Sequence, residues 1–406
     1  MGIIAKPVTN RRITPMRLPP SPAYDLEHWR RQIPLLGSHI PMNNCSQAPQ
    51  TLATRAAAEQ YLESWNTSGM DWDAWMHEVA RAKQAFAALI NASVDEVAMF
   101  SSVSEAASAV ASALDFTRAR RHVLVSDAEF PTVSQVWLAQ EPRGARVSWV
   151  PAADGMIDTA SYASLITDET ALVSACHGYY LNGFMQDVAT IATAAHARGA
   201  LCFVDAYQTL GTTPVDVLAL DVDFLATGNL KFLMGVPGVA FLYVKRALIE
   251  QLTPTVTGWF GRTNPFAFDA RTLDWSNTAS RFDAGTPPIL NAYIARAGME
   301  MIQEVGPAKI RAWHEVLGAR LIEGGRARGL TLHGTADLAR KTANTAFVVD
   351  DSHHVEAELR TRGIIASARG PVIRLAPHFY NSLDDVDQAL DALAAVAPPA
   401  AQRVHA

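Results

Sequence analysis

The sequence predicts an α/β protein built on a mostly parallel, seven-stranded sheet, followed by a smaller α+β unit. Three observations carry that expectation. Short apolar runs alternate with helical stretches between about residues 97 and 244, the pattern of strands buried on both faces by helices. The alternation breaks in a loop-rich segment, residues 253–290, holding Trp259, Trp275 and Pro287-Pro288. Long amphipathic helices then lead into short strands and a last helix.

Residues 1–40 are punctuated by Pro19, Pro20, Pro22 and Pro34 and read as an extended arm or part of the smaller unit. Ala, Leu and Trp periodicity predicts helices from about residue 52 to Leu89. The strand candidates are Val97–Ser101, His122–Ser126, Val147–Val150, Thr170–Ser174, Leu201–Asp205, Asp223–Ala226 and Val239–Val244. Helices are expected between most of them, for example Glu105–Leu114, Val133–Ala139 and Val188–Ala197. Further on come helices Ala292–Glu304 and Pro307–Arg328, strands Asn344–Val349 and Val372–Ala376, and a helix at Leu383–Ala395. The expected division is an arm at 1–40, a large domain at 41–288 and a small domain at 289–406. The tail APPAAQRVHA is expected to fray.

The chain has 406 residues, 49% hydrophobic and 18% charged, which suits a soluble globular protein with ample core. A net charge of −6 without a basic stripe argues against nucleic acid or an anionic membrane as partner. No apolar run reaches the roughly 18 residues of a membrane span. The basic, Pro-rich start lacks the apolar core of a secretory signal. Three scattered cysteines, Cys45, Cys176 and Cys202, form neither a disulfide framework nor a zinc site. A reducing, cytoplasmic setting is the simple expectation.

The chemistry centres on Lys231, which follows the strand candidate Asp223–Ala226 and precedes Phe232-Leu-Met-Gly-Val-Pro-Gly238. In so constricted a setting a lysine's pKa falls and its amine becomes nucleophilic. Asp205 ends the preceding apolar run. An amine and a carboxylate at neighbouring strand ends are what pyridoxal 5′-phosphate (PLP) requires: the amine holds the aldehyde, and the carboxylate keeps the ring nitrogen protonated. Ligands of such sheets bind at the carboxyl ends of the strands.

Other candidates are weaker singly. Ser101-Ser-Val-Ser104-Glu105 opens a helix and suits a phosphate, although a Ser at a helix start also reads as a plain cap. Phe130, in Phe-Pro-Thr132, is either a ring-stacking face or core. Gln208 stands three residues past Asp205. Arg374 lies in the apolar run Pro371-Val-Ile-Arg-Leu-Ala-Pro377, where a guanidinium needs an anion: a substrate carboxylate or a structural Asp or Glu. Gly285-Thr286-Pro287-Pro288 is a rigid turn. Asn44, Cys45, His177 and the 255–285 loop are the candidates for a substrate side-chain pocket. Cys45 reads more simply as a buried structural cysteine than as a catalytic thiol.

Taken together, in this order and spacing, these motifs resemble the class V aminotransferase family of fold-type I PLP enzymes, which includes cysteine desulfurases and kynureninases. The resemblance runs from about residue 40 to 395 and is most specific in VDAYQTLGTTPVDVLALDVDFLATGNLKFLMGVPGVAFLYV. It implies Lys231 as the Schiff-base lysine and Asp205 as the partner of the ring nitrogen, with Gln208 beside the ring. Val103 and Ser104 would hold the phosphate. Phe130 would stack on the ring as in kynureninases, with Thr132 and His177 near. Trp259, in Gly258-Trp-Phe-Gly261, and Thr286 resemble residues that reach the phosphate, Thr286 from a neighbouring subunit. Arg374 would clamp the α-carboxylate. An obligate homodimer with sites completed in trans follows.

Departures from the family narrow the reaction. The loop Gly363-Ile-Ile-Ala-Ser-Ala-Arg-Gly370 lacks the nucleophilic cysteine of desulfurases. Thr286 replaces the asparagine with which kynureninases help hold their substrate, and Leu230 stands where both groups place a tyrosine or histidine on the phosphate; Thr227 or Asn229 would have to compensate. The resemblance implies chemistry on an α-amino acid through a Cα carbanion. Cβ cleavage, kynureninase-like or carbon–sulfur, leads; transamination and epimerisation remain open, as does a non-catalytic binding protein.

Overall fold

The computed structural model describes residues 21–153 and 155–397. The start of the arm and the end of the APPAAQRVHA tail lie outside the described residues. The centre is a seven-stranded sheet: β1 (Val97–Phe100), β2 (His122–Ser126), β3 (Arg146–Val150), β4 (Thr170–Cys176), β5 (Leu201–Asp205), β6 (Phe224–Gly228) and β7 (Ala240–Val244). Their spatial order is β1-β7-β6-β5-β4-β2-β3. All pair in parallel except β7, which runs antiparallel to both β1 and β6. A parallel crossover needs room for a helix. The short connection between Gly228 and Ala240 has none, so the chain reverses there, and Lys231 sits in the reversal.

Side chains alternate between the two faces of the sheet. Leu124, Val173, Val204, Leu225 and Phe241 enter one apolar cluster. Val123, Val125, Leu172, Phe203, Phe224 and Leu242 enter another. Both faces are therefore covered, which is why these strands read as continuous apolar runs. Helices α1 (Leu52–Ser68) and α2 (Trp72–Leu89) pack with the long helix α6 (Ile289–Val305) on the first side. Helices α3 (Val103–Ala113) and α4 (Pro131–Leu138) cover the second, while α5 (Val188–His196) joins the first.

A second, four-stranded antiparallel sheet comprises β8 (Leu332–His333), β9 (Thr345–Val348), β10 (Ser367–Arg369) and β11 (Val372–Leu375) in the order β10-β11-β9-β8. One face carries Phe347, Ala368, Ile373 and Leu375 against helices α7 (Pro307–Ala327), α8 (Ser352–Thr361) and α9 (Leu383–Val396). The early chain joins this layer. Ile40–Pro41 pairs in parallel with Ile364–Ile365. Arg30 reaches Asp385 at 2.6 Å, and Trp29 meets Phe379 edge-on at 5.8 Å.

No helix among the described residues is long and apolar enough to cross a membrane, and no group of three or more His, Cys, Asp or Glu there could hold a metal ion.

Candidate active site

Because β1, β2, β4, β5 and β6 run the same way, their carboxyl ends meet at one edge. Val103 and Ser104 follow β1, Phe130 and Thr132 follow β2, His177 follows β4, Asp205 ends β5, and Lys231 follows β6. A cavity of about 240 Å³ opens there, with Ser104, Phe130, Thr132, Asp205, Tyr207 and Lys231 on its wall.

The Lys231 turn is held tightly. Met234 N–H donates to the Lys231 carbonyl at 3.0 Å, Gly235 N–H to Asn229 at 2.9 Å, and Ala48 N–H to Leu230 at 3.0 Å. Met234 takes a left-handed φ of 60° inside a buried run, and Gly238 closes the turn at φ 91°. Such a backbone persists only where its surroundings over-determine it. The Lys231 amine lies 4.1 Å from the centre of the Tyr207 ring and 5.6 Å from that of Phe130. Burial pulls its pKa down to about 8; Asp205 and Cys45 raise it, and Arg374 and Arg369 lower it.

Asp205 is buried, and its Oδ1 accepts from the Tyr207 amide at 2.8 Å. Burial raises its pKa, against the opposing pull of that amide and of Lys231. Gln208 Nε2 donates to the Cys45 carbonyl at 3.0 Å, while its buried Oε1 has no partner. At the far end, Ser102 caps α3 by accepting from Glu105 N–H. The amides of Val103 and Ser104 are thereby left without intrahelical acceptors at the positive end of the helix. Phe130 starts α4 ahead of Pro131, is 39% exposed, and meets Tyr180 edge-on at 5.2 Å.

Arg374 projects from β11 and is 1% exposed. Its Nη1 donates to the Tyr180 carbonyl at 2.9 Å, and its Nη2 to Ser46 and Ser367 hydroxyls at 2.8 and 2.6 Å. Its buried Nε has no acceptor. No carboxylate among the described residues forms an ion pair with it, so of the two anions the sequence left open, the structural Asp or Glu is absent.

The remaining candidates are placed differently. His177 is buried, with Nδ1 3.0 Å from the Thr209 hydroxyl, and burial lowers its pKa to about 4. Asn44 spends its side chain on the Ala376 carbonyl (2.8 Å) and the Tyr380 hydroxyl (2.7 Å). Cys45 is buried among Phe232, Ala343 and Ala376. Trp259 belongs to a separate aromatic group with Trp72, Phe260, Phe266 and Phe268. Thr286 is exposed on its own loop. Neither of these two lines the Lys231 cavity. Sequence reasoning missed Tyr207, Tyr180, Ser46 and Ser367. Tyr207 had a signal, an aromatic beside the strand-end carboxylate; the others come together only in three dimensions.

A buried amine and carboxylate at one strand edge, with free helix-terminal amides across a cavity, define a PLP-dependent enzyme of the α/β type. The family model "Aminotransferase class-V" matches residues 43–383, and the chain belongs to that family. It is 35% identical over 369 residues to "Uncharacterized aminotransferase YcbU" of Bacillus subtilis (strain 168), covering 91% of this chain and 97% of the relative. It is 27% identical over 325 residues to a kynureninase of Pseudomonas fluorescens, covering 77% and 75%. Among solved structures, the apo cysteine desulfurase from Thermococcus onnurineus NA1 shares the fold, with a TM-score of 0.83 at 23% identity over 95% of this chain and 99% of that one. The cavity fits the cofactor: the Lys231 amine and the free amides of α3 are complementary to its aldehyde and phosphate, and the buried Asp205 carboxylate to its protonated ring nitrogen.

Proposed function

We propose that this enzyme cleaves a bond at Cβ of an α-amino acid, as a carbon–sulfur lyase or a kynureninase-like hydrolase. Bound PLP supplies an electron sink for the pair left when a bond to Cα breaks. Lys231 supplies the amine that bonds to its aldehyde, and Asp205 the negative charge facing its ring nitrogen. Val103 and Ser104 hold its phosphate, Phe130 covers its ring, and Gln208 and Thr132 lie at its edge. Arg374 takes the substrate carboxylate, fixing the Cα–H bond for attack. The free Lys231 amine would then accept that proton; an amine with a pKa near 8 is suited to do so near neutral pH. The observation that carries the reading is Arg374: a buried guanidinium with an empty Nε and no acidic partner among the described residues.

Phe130 at the strand end and the cysteine-free loop 363–370 favour cleavage over persulfide chemistry. Transamination is the second reading, favoured by the 35% identical relative named as an aminotransferase. Incubation with amino acids and no keto acid separates them: release of pyruvate or alanine supports cleavage, and a strict need for an acceptor defeats it.

The working form we propose is a cytoplasmic homodimer, with Trp259 and Thr286 serving the partner's cavity. Phe266 and Phe268, 45% and 74% exposed beside Trp259, offer an apolar surface for that contact. Light scattering is expected to find a dimer in every active fraction; an active monomer refutes the arrangement.

A further inference from the structure

We propose that Arg369 receives an acidic group on the substrate's side chain, so that the substrate is a doubly anionic α-amino acid: a dicarboxylate, or one carrying a sulfinate in place of the second carboxylate. The inference rests on the assignment of Lys231 and Arg374 above and specifies the substrate of that same site.

Strand register places Arg369. On β10 and β11, Ser367 stands opposite Arg374 and Arg369 opposite Val372. Residues two apart on a strand share a face, and so do directly opposed residues. Ala366, Ala368, Ile373 and Leu375 point into the apolar cluster beneath the helices. Ser367, Arg369 and Arg374 therefore share the other face, and the 2.6 Å bond from Arg374 Nη2 to Ser367 Oγ fixes its direction. Arg369 stands on the face that holds the carboxylate clamp, one position further out.

Its surroundings leave it free to bind. Arg374 is 1% exposed, whereas Arg369 is exposed and its side chain makes no hydrogen bond or ion pair among the described residues. Its charge nevertheless reaches the Lys231 amine and acts in the same sense as that of Arg374. Arg374 and Arg369 thus stand on one face of the smaller sheet, and Asp205 is the one carboxylate acting on the Lys231 amine. An α-carboxylate satisfies Arg374, and a cofactor phosphate meets the amides of α3. Arg369 remains, and a second substrate anion is the group that would neutralise it. An exposed pair in water contributes little, but a substrate lying over the cavity shields it and strengthens the contact.

The test uses purified holoenzyme and the Arg369→Gln and Arg369→Lys variants, titrated by calorimetry and by visible spectrum. The probes are L-aspartate, L-glutamate and L-cysteine sulfinate against L-alanine and L-leucine. The wild type is expected to bind at least one acidic probe about tenfold or more tighter than the neutral ones. Arg369→Gln should erase that preference while neutral probes bind within about twofold of wild type, and Arg369→Lys should restore part of it. Equal binding of acidic and neutral probes by the wild type, or a preference surviving in Arg369→Gln, overturns the proposal. Loss of bound cofactor in Arg369→Gln overturns it too, by assigning the guanidinium to the phosphate. Silence toward every probe in both readouts rejects the underlying assignment of Lys231 and Arg374 instead, and this inference with it.

Discussion

Lys231→Ala is expected to lower turnover by about 10³-fold or more while the protein still takes up PLP. The loss combines the missing covalent attachment with the missing base, a role that commonly contributes about 10²–10⁴-fold. Retention follows from the separate phosphate contacts proposed at Val103 and Ser104, which the substitution leaves alone. Borohydride treatment followed by peptide mapping reads the first part: the wild type should gain the reduced cofactor mass at residue 231, and the variant should not. Dialysis and cofactor analysis read the second. Full activity in Lys231→Ala overturns the mechanism. The amine itself carries a further signature. Its pKa of about 8 lies below that of an ordinary lysine, because burial penalises the charged form more than Asp205 restores it. In cofactor-free protein, acylation at Lys231 should therefore speed up as pH rises toward 8 and level off above it, whereas surface lysines keep gaining reactivity beyond pH 10.

Arg374→Ala is expected to raise KM for the amino acid by roughly 30-fold or more, the effect of removing one partner from a shielded charge pair at about 2–5 kcal/mol. Truncation also frees the hydroxyls of Ser46 and Ser367 and the Tyr180 carbonyl, so thermal stability should fall as well. Arg374→Lys separates the two effects. It keeps a cation but loses the planar fork, so KM should rise while the fold is largely retained. If Arg374 were merely structural, KM would stay unchanged in whichever variant folds. Spectral titration against a substrate analogue distinguishes the cases.

The large sheet was legible because six of its seven strands are buried on both faces, which leaves no polar alternation to confuse the pattern; the exception is the edge strand β3, where Arg146 and Trp149 are exposed. His122–Ser126 and Leu201–Asp205 coincide with the observed strands, and the others shift by a residue or two at their ends. The direction of β7 was not legible, since an apolar run has no polarity; the short connection carrying Lys231 decides it. Asp205, Phe130 and Lys231 could be placed at one edge in advance because parallel strands send their carboxyl ends the same way. The partners of Arg374 could not. Ser46 and Ser367 lie far from each other in sequence and meet at 2.8 Å only after the two sheets are assembled. Arg369 was hidden for a related reason: its direction depends on the register between β10 and β11.

The union of the early chain with the last layer has a consequence for biosynthesis. Arg30 and Asp385 are 355 positions apart, and ribosomes add roughly 5–20 residues per second. Trp29, buried in the finished protein against Phe379, must therefore wait on the order of 20–70 s for that partner. During that interval the nascent chain presents an apolar side chain that a much later segment will cover, a target for chaperones.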